Sequence, residues 1–256
     1  MRNELQIFLT SLMFFTRMPC PSWIDHSEEL LNKANRYFPL IGWIVGGTAA
    51  LVIYGLHFIF PPSVCILLAI SVSVLLTGAF HEDGFADVCD GFGGGWTSER
   101  ILLIMKDSRV GAYGVIGIIL LFSLKIFLLI ELLNFDLWFC IKSILLAHVL
   151  SRFISVTIMF THEYAREDAT SKVKPIAKNL SNKDFLISLV WLIPAFLLFQ
   201  NWWILLVIIP AYAMKVYLSA YFKKWIGGYT GDCLGAAQQI TFVITLLFCL
   251  GICKFI

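Results

Sequence analysis

Long apolar runs follow one another along most of this chain, at roughly 37–60, 63–81, 112–133, 137–160, 185–200, 202–222 and 232–253. A helix needs about 20 largely apolar residues to cross a bilayer, and backbone in lipid must satisfy its own hydrogen bonds. The runs therefore predict an all-α polytopic integral membrane protein with about seven transmembrane helices. Composition agrees, with 59% of the 256 residues hydrophobic and 14% charged, against about 25% charged in soluble domains. The fifth run is short and contains Pro194, which suits a half-helix or a tilted arm. Residues 5–15 are too few to cross and are placed in the interface. Thr16-Arg17-Met18-Pro19 follows them in place of a small-residue cleavage site, so the segment is read as retained.

Charge orients the runs. The linkers near Pro61-Pro62, Asn134-Phe135-Asp136 and Gln200-Asn201 carry no Lys or Arg. The other connections hold Arg17, Lys33 and Arg36, then Arg100, Lys106 and Arg109. After these come Arg166, Lys172, Lys174, Lys178 and Lys183, and finally Lys223 and Lys224. With Arg2 these make fourteen of the nineteen basic residues, and on the other side only Lys254 falls. By the positive-inside rule, loops 82–111, 161–184 and 223–231 face the cytoplasm, which makes the bilayer in question the cytoplasmic (inner) membrane. The lipid bilayer is the expected partner and nucleic acid is not. Seven scattered cysteines without a CxxC pair argue against a disulfide framework or a zinc site.

The loop after the second run begins His81-Glu82-Asp83-Gly84-Phe85-Ala86-Asp87-Val88-Cys89-Asp90-Gly91. If the preceding helix continues past the membrane surface, Asp83, Asp87 and Asp90 fall at i, i+4 and i+7, on one face. Like charges so placed destabilise a helix unless a cation sits between them. Mg²⁺ fits, because it binds one or two carboxylates and keeps waters and substrate phosphates as its other ligands. The same connection ends Met105-Lys106-Asp107-Ser108-Arg109-Val110-Gly111. Acid for metal and base for phosphate on one surface are the parts that phosphoryl transfer needs.

Two further features stand out. His148 and Arg152 lie four apart in the fourth run, where ionisable residues face the bundle interior and mark function. Arg152 is placed near the substrate, whereas Lys125, Lys142 and Lys215 read as snorkelling or bundle residues. The last loop, Gly227-Gly228-Tyr229-Thr230-Gly231-Asp232-Cys233-Leu234-Gly235-Ala236, has glycines for tight turns and amides that suit an anion. Asp232 in it is either a helix cap or a member of the site.

These motifs together resemble the cobalamin synthase family of adenosylcobinamide-GDP ribazoletransferases. The family pattern H-x-D-G-x-A-D-x-x-D-G is matched at His81, Asp83, Gly84, Ala86, Asp87, Asp90 and Gly91. I-M-[KR]-D-S-R-x-G is matched from Ile104 to Gly111, and G-G-x-T-G-D-x-L-G-A from Gly227 to Ala236. Phe15-Thr16-Arg17-Met18-Pro19, Phe38-Pro39-Leu40-Ile41-Gly42 and Tyr164-Ala165-Arg166-Glu167 are similar to further family segments, so the resemblance covers nearly the whole chain. Two positions depart from it: Glu82 stands where an apolar residue is more usual, and Gln239 where several members carry an acid.

The resemblance implies the last assembly step of cobalamin biosynthesis, carried out by residues 1–256 as a single transmembrane catalytic domain. The 5′-hydroxyl of α-ribazole, or its 5′-phosphate form, attacks the phosphorus next to cobinamide in adenosylcobinamide-GDP, and GMP leaves. Asp83, Asp87, Asp90, Asp107 and Glu82 are then expected to hold Mg²⁺. Lys106, Arg109, Arg152, Thr230 and Asp232 are expected at the substrate. An acid or His81 takes the proton of the attacking hydroxyl, unless His81 only hydrogen-bonds at the membrane edge. Whether the enzyme works as a homo-oligomer or with other cobalamin-assembly enzymes is left open. Two other readings compete. A CDP-alcohol phosphatidyltransferase uses similar chemistry on lipid, but its pattern has Arg where this chain has Asp87. A secondary transporter should gather its polar groups at the midplane between repeats, and no repeat is visible.

Overall fold

The chain turns a right angle where the acidic motif begins. In the computed structural model, which describes residues 2–24, 27–165 and 180–255, α4 (Pro62–Thr77) stops at Gly78 and α5 (Phe80–Gly94) starts anew, bent by 89°. The cause is two successive left-handed residues, Gly78 at φ 65° and Ala79 at φ 57°. Glycine adopts that conformation without steric penalty, whereas for Ala79 it costs about 1–2 kcal/mol. The acidic helix is therefore not the continuation of the preceding span that the spacing alone suggests. It is a separate element set across that span's end, and it keeps the helical spacing of its carboxylates.

The remaining described helices are α1 (Arg2–Phe15), α2 (Glu28–Ala34), α3 (Phe38–Leu56), α6 (Ser98–Ile104), α7 (Ala112–Phe135), α8 (Leu137–Thr161), α9 (Asn182–Leu197), α10 (Ile208–Ile226) and α11 (Gly231–Ile252). Among the described residues, five helical stretches are long and apolar enough to cross a membrane: 28–56, 112–135, 137–161, 202–226 and 231–255. The bent α4–α5 pair adds a sixth if its two arms count as one span. The fifth expected run, 185–200, is not among them. There α9 has 16 residues, a rise of about 24 Å against a hydrocarbon core of about 30 Å. The chain is a multi-pass, all-α membrane protein of five or six spans by this measure. α1, with 14 residues, is likewise too short to cross.

Position in the bundle follows from side-chain character. α7 presents Val115, Ile116, Ile119, Leu120, Leu124 and Phe127 on its exposed surface, as a lipid-facing helix must. α8 carries Ser143, His148, Ser151, Arg152, Ser155 and Thr157 and is buried over 83% of its span. It packs against α3 and α11, which shield those polar groups from lipid. The Arg36 guanidinium bridges Glu4 at 2.5 Å and Asp184 at 3.0 Å, tying α1 and α9 to the start of α3.

Candidate active site

The register of α5 decides which carboxylates meet. Asp83 and Asp87 share a face, the first exposed and the second half-buried. Glu82 lies about 100° round the helix from Asp83 and is buried in the bundle. Gly84 rests on α11, where an added Cβ would come within 2.9 Å of Asp232 Cα. Gly235 makes the reciprocal approach, where an added Cβ would lie 3.1 Å from the His81 carbonyl oxygen. With no side chain between the two backbones, Asp232 is carried alongside the helix that bears Asp83 and Asp87.

Asp232 is not the cap of α11. Thr230 is: its hydroxyl accepts the Cys233 amide at 3.3 Å and also lies 3.4 Å from an Asp232 carboxylate oxygen. Thr230, expected at the substrate, is instead fully buried. The glycine-rich loop before it is held to residues 163–165 by backbone hydrogen bonds, Ala165 N to Tyr229 O at 2.8 Å and Tyr229 N to Glu163 O at 3.1 Å. Arg166 and Glu167 of the middle motif, and Lys172, Lys174 and Lys178, lie outside the described residues.

The other expected acids have structural partners. Asp90 accepts the Gly111 amide at 2.7 Å and the Gly114 amide at 2.8 Å. It thereby caps the first turn of α7, whose own cap residue, Gly111, has no side chain to do so. A carboxylate at that helix end is favourable because of the unsatisfied N–H groups there. Asp107 is closed by the Arg109 guanidinium, with contacts at 3.1, 3.2 and 2.7 Å. That fork holds the Asp107 carboxyl down to about 2. Lys106, Asp107 and Arg109 stand on one exposed or half-exposed turn before α7.

The five expected metal ligands are thus divided, and among the described residues no three metal-binding side chains form a ready-made cage. Asp83 and Asp87 face outward together, Asp90 caps α7, Asp107 pairs with Arg109, and Glu82 faces inward. Two carboxylates on one exposed helical face fit Mg²⁺, which needs few protein ligands when phosphates and waters complete its shell.

Beneath this face lies a second, buried cluster. It gathers His81, Glu82, Lys125, His148, Arg152, Gln238 and Gln239 around a cavity with about 20 Å³ of water-accessible space. Arg152 Nη1 donates to the His148 carbonyl at 3.0 Å and lies 3.1 Å from its Nδ1. Its guanidinium stands 5.5 Å from the Phe38 ring centre. Gln238 donates to Ser151 at 3.0 Å. Arg152 lies inside the bundle, where its place in the fourth run puts it, and His81 is almost fully buried as well. Of the two readings of Lys125, snorkelling or bundle residue, the structure shows the second. The signal was its position in the middle of a 24-residue helix, about 15 Å from the nearer end and too deep to snorkel out.

Residues 7–250, which include all three motifs, match the model of the cobalamin-5-phosphate synthase family. A protein of Shewanella frigidimarina (strain NCIMB 400) named adenosylcobinamide-GDP ribazoletransferase is 44% identical over 259 residues, covering 98% of this chain and 96% of its own. Proteins of the same name from Shewanella amazonensis and Shewanella piezotolerans are 46% and 44% identical, over 96% and 97% of this chain and 95% and 96% of theirs. No solved structure matches. At such coverage on both sides, the chain belongs to the cobalamin-5-phosphate synthase family.

Proposed function

We propose that this membrane transferase is an adenosylcobinamide-GDP ribazoletransferase that performs the closing step of cobalamin assembly. A ribose hydroxyl of α-ribazole, or of its 5′-phosphate, attacks the cobinamide-side phosphorus of adenosylcobinamide-GDP. A phosphorus–oxygen bond forms, the pyrophosphate bond breaks, and GMP leaves. On an acceptor that already carries a 5′-phosphate, the attacking group is another ribose hydroxyl. The observation that carries the reading is the paired face of α5 and α11. It runs the helix that bears Asp83 and Asp87 against the start of the helix that bears Asp232, two separate family motifs, through the close backbone approach at Gly84.

Each residue has a part. Asp83 and Asp87 are the residues that would hold Mg²⁺, which when bound supplies charge neutralisation at the pyrophosphate. Arg109 and Lys106 offer cations to phosphate oxygens, Arg as a fork and Lys as a point charge. Arg109 must leave Asp107 to do so, and an exposed pair gives it up readily. A carboxylate of the exposed face takes the hydroxyl proton, since His81 lies buried beneath it. The basic loops and bare linkers support an active site facing the cytoplasm from the inner membrane.

The test is turnover by purified protein in lipid vesicles. With adenosylcobinamide-GDP and α-ribazole it should release GMP and form the joined cobalamin, and EDTA should stop it. No GMP from this pair, or release of CMP from a CDP-activated lipid instead, would overturn the assignment. Full turnover after exhaustive chelation would remove the metal from it.

A further inference from the structure

Glu82, Gln239 and Lys125 form an unbroken polar chain across α5, α11 and α7, directly under the acidic face. The Gln239 amide donates to Glu82 Oε1 at 2.9 Å, and its carbonyl oxygen accepts from the Lys125 ammonium. Lys125 Nζ is also 3.6 Å from the same Glu82 oxygen. All three residues are buried. A buried charge left without its partner is strongly destabilising, so Lys125 in mid-span ties Glu82 to one place. Among the described residues, Glu82 Oε2, His81 Nε2, Arg152 Nε and Gln238 Oε1 find no hydrogen-bond partner. The adjoining cavity of about 20 Å³ has room for a water to serve such groups.

Glu82 is the residue immediately before Asp83. A helix turns as a unit, so whatever fixes Glu82 inward also fixes where Asp83 and Asp87 point. The break at Gly78-Ala79 separates the near end of α5 from α4, and the chain holds that end as Asp90 on α7 holds the far one. We propose that the Glu82–Gln239–Lys125 chain is a positioning device that sets the rotation of α5, so that Asp83 and Asp87 meet the divalent cation together. None of the three touches substrate. This rests on the reading of Asp83 and Asp87 as cation ligands.

The chain suggests its own test, because Gln239 already touches both charges. Exchanging the two groups, Glu82→Gln with Gln239→Glu, keeps one carboxylate beside Lys125. Mn²⁺ alone is titrated against protein in lipid nanodiscs, read by loss of the free-ion resonance, and kcat and KM are measured alongside. Glu82→Gln should weaken Mn²⁺ binding by about 10- to 100-fold, as loss of groups that orient metal ligands does. The exchange variant should return it to near the wild-type value. If Glu82→Gln fails to fold, Glu82→Gln with Lys125→Gln leaves no charge unpaired and should fold with the same weakened binding.

Wild-type affinity in Glu82→Gln or in that double variant overturns the proposal. So does an exchange variant no better than the single one, or one that does not fold. Asp83→Asn reports separately on the underlying reading. It should abolish Mn²⁺ binding with the chain intact, and wild-type binding there would sink the cation reading itself.

Discussion

Asp90 engages both carboxylate oxygens with amides of α7, while α11 is capped by Thr230 and not by Asp232. The two aspartates should therefore fail in different ways. Asp90→Ala removes two hydrogen bonds at a helix N-terminus, each partner amide being left to water or nothing, and should cost about 1–3 kcal/mol of stability. Asp232→Asn should leave the melting temperature in lipid unchanged and lower the rate of GMP release by about 10²–10³, the usual cost of losing one preorganised electrostatic contact. Near-normal turnover in Asp232→Asn would take that residue out of the site, and an unshifted melting temperature in Asp90→Ala would refute the cap. Nothing in the local sequence separates the two, since each is an aspartate among glycines. Their difference comes from partners 21 to 24 residues away in one case and from the neighbouring hydroxyl in the other.

At the scale of elements, the site depends on how closely α5 and α11 approach. A Cβ on Gly84 would sit 2.9 Å from Asp232 Cα, and backbone, unlike the end of a flexible side chain, cannot turn aside. Overpacking of this kind costs about 1–3 kcal/mol. Gly84→Ala should accordingly lower the melting temperature and slow GMP release together. Gly47→Ala, where nothing lies within 4 Å, should change neither and serves as the control. If Gly84→Ala is as active and as stable as Gly47→Ala, the two backbones are not in contact. The helical spacing of Asp83, Asp87 and Asp90 was legible from the sequence, because periodicity is a local property. The right-angle break before them was not. Gly78 alone signals a weak point, and nothing about an alanine marks the second left-handed residue at Ala79.

The whole molecule places a polar cluster inside a lipid-facing shell and an acidic face above it. The membrane class and the buried pair of His148 and Arg152 could be read from hydropathy, which is set by composition along one helix. The span count could not be read as securely, since α4 and α9 each have 16 residues and length alone does not fix their passage. Nor could the joining of Glu82, Gln239 and Lys125, which are distant in sequence and meet only through tertiary packing. The five expected metal ligands are split by their surroundings: amides at the start of α7 hold Asp90, the nearby Arg109 holds Asp107, and Gln239 with Lys125 holds Glu82. Asp83 with Asp87 on the outward face carries the central claim. It is tested most directly by the rate of GMP release from adenosylcobinamide-GDP and α-ribazole by Asp83→Asn in lipid vesicles, at wild-type protein levels and across a Mg²⁺ titration. The account predicts a loss of at least about 10²–10³ that added Mg²⁺ does not recover. Turnover near that of the unaltered protein would contradict it.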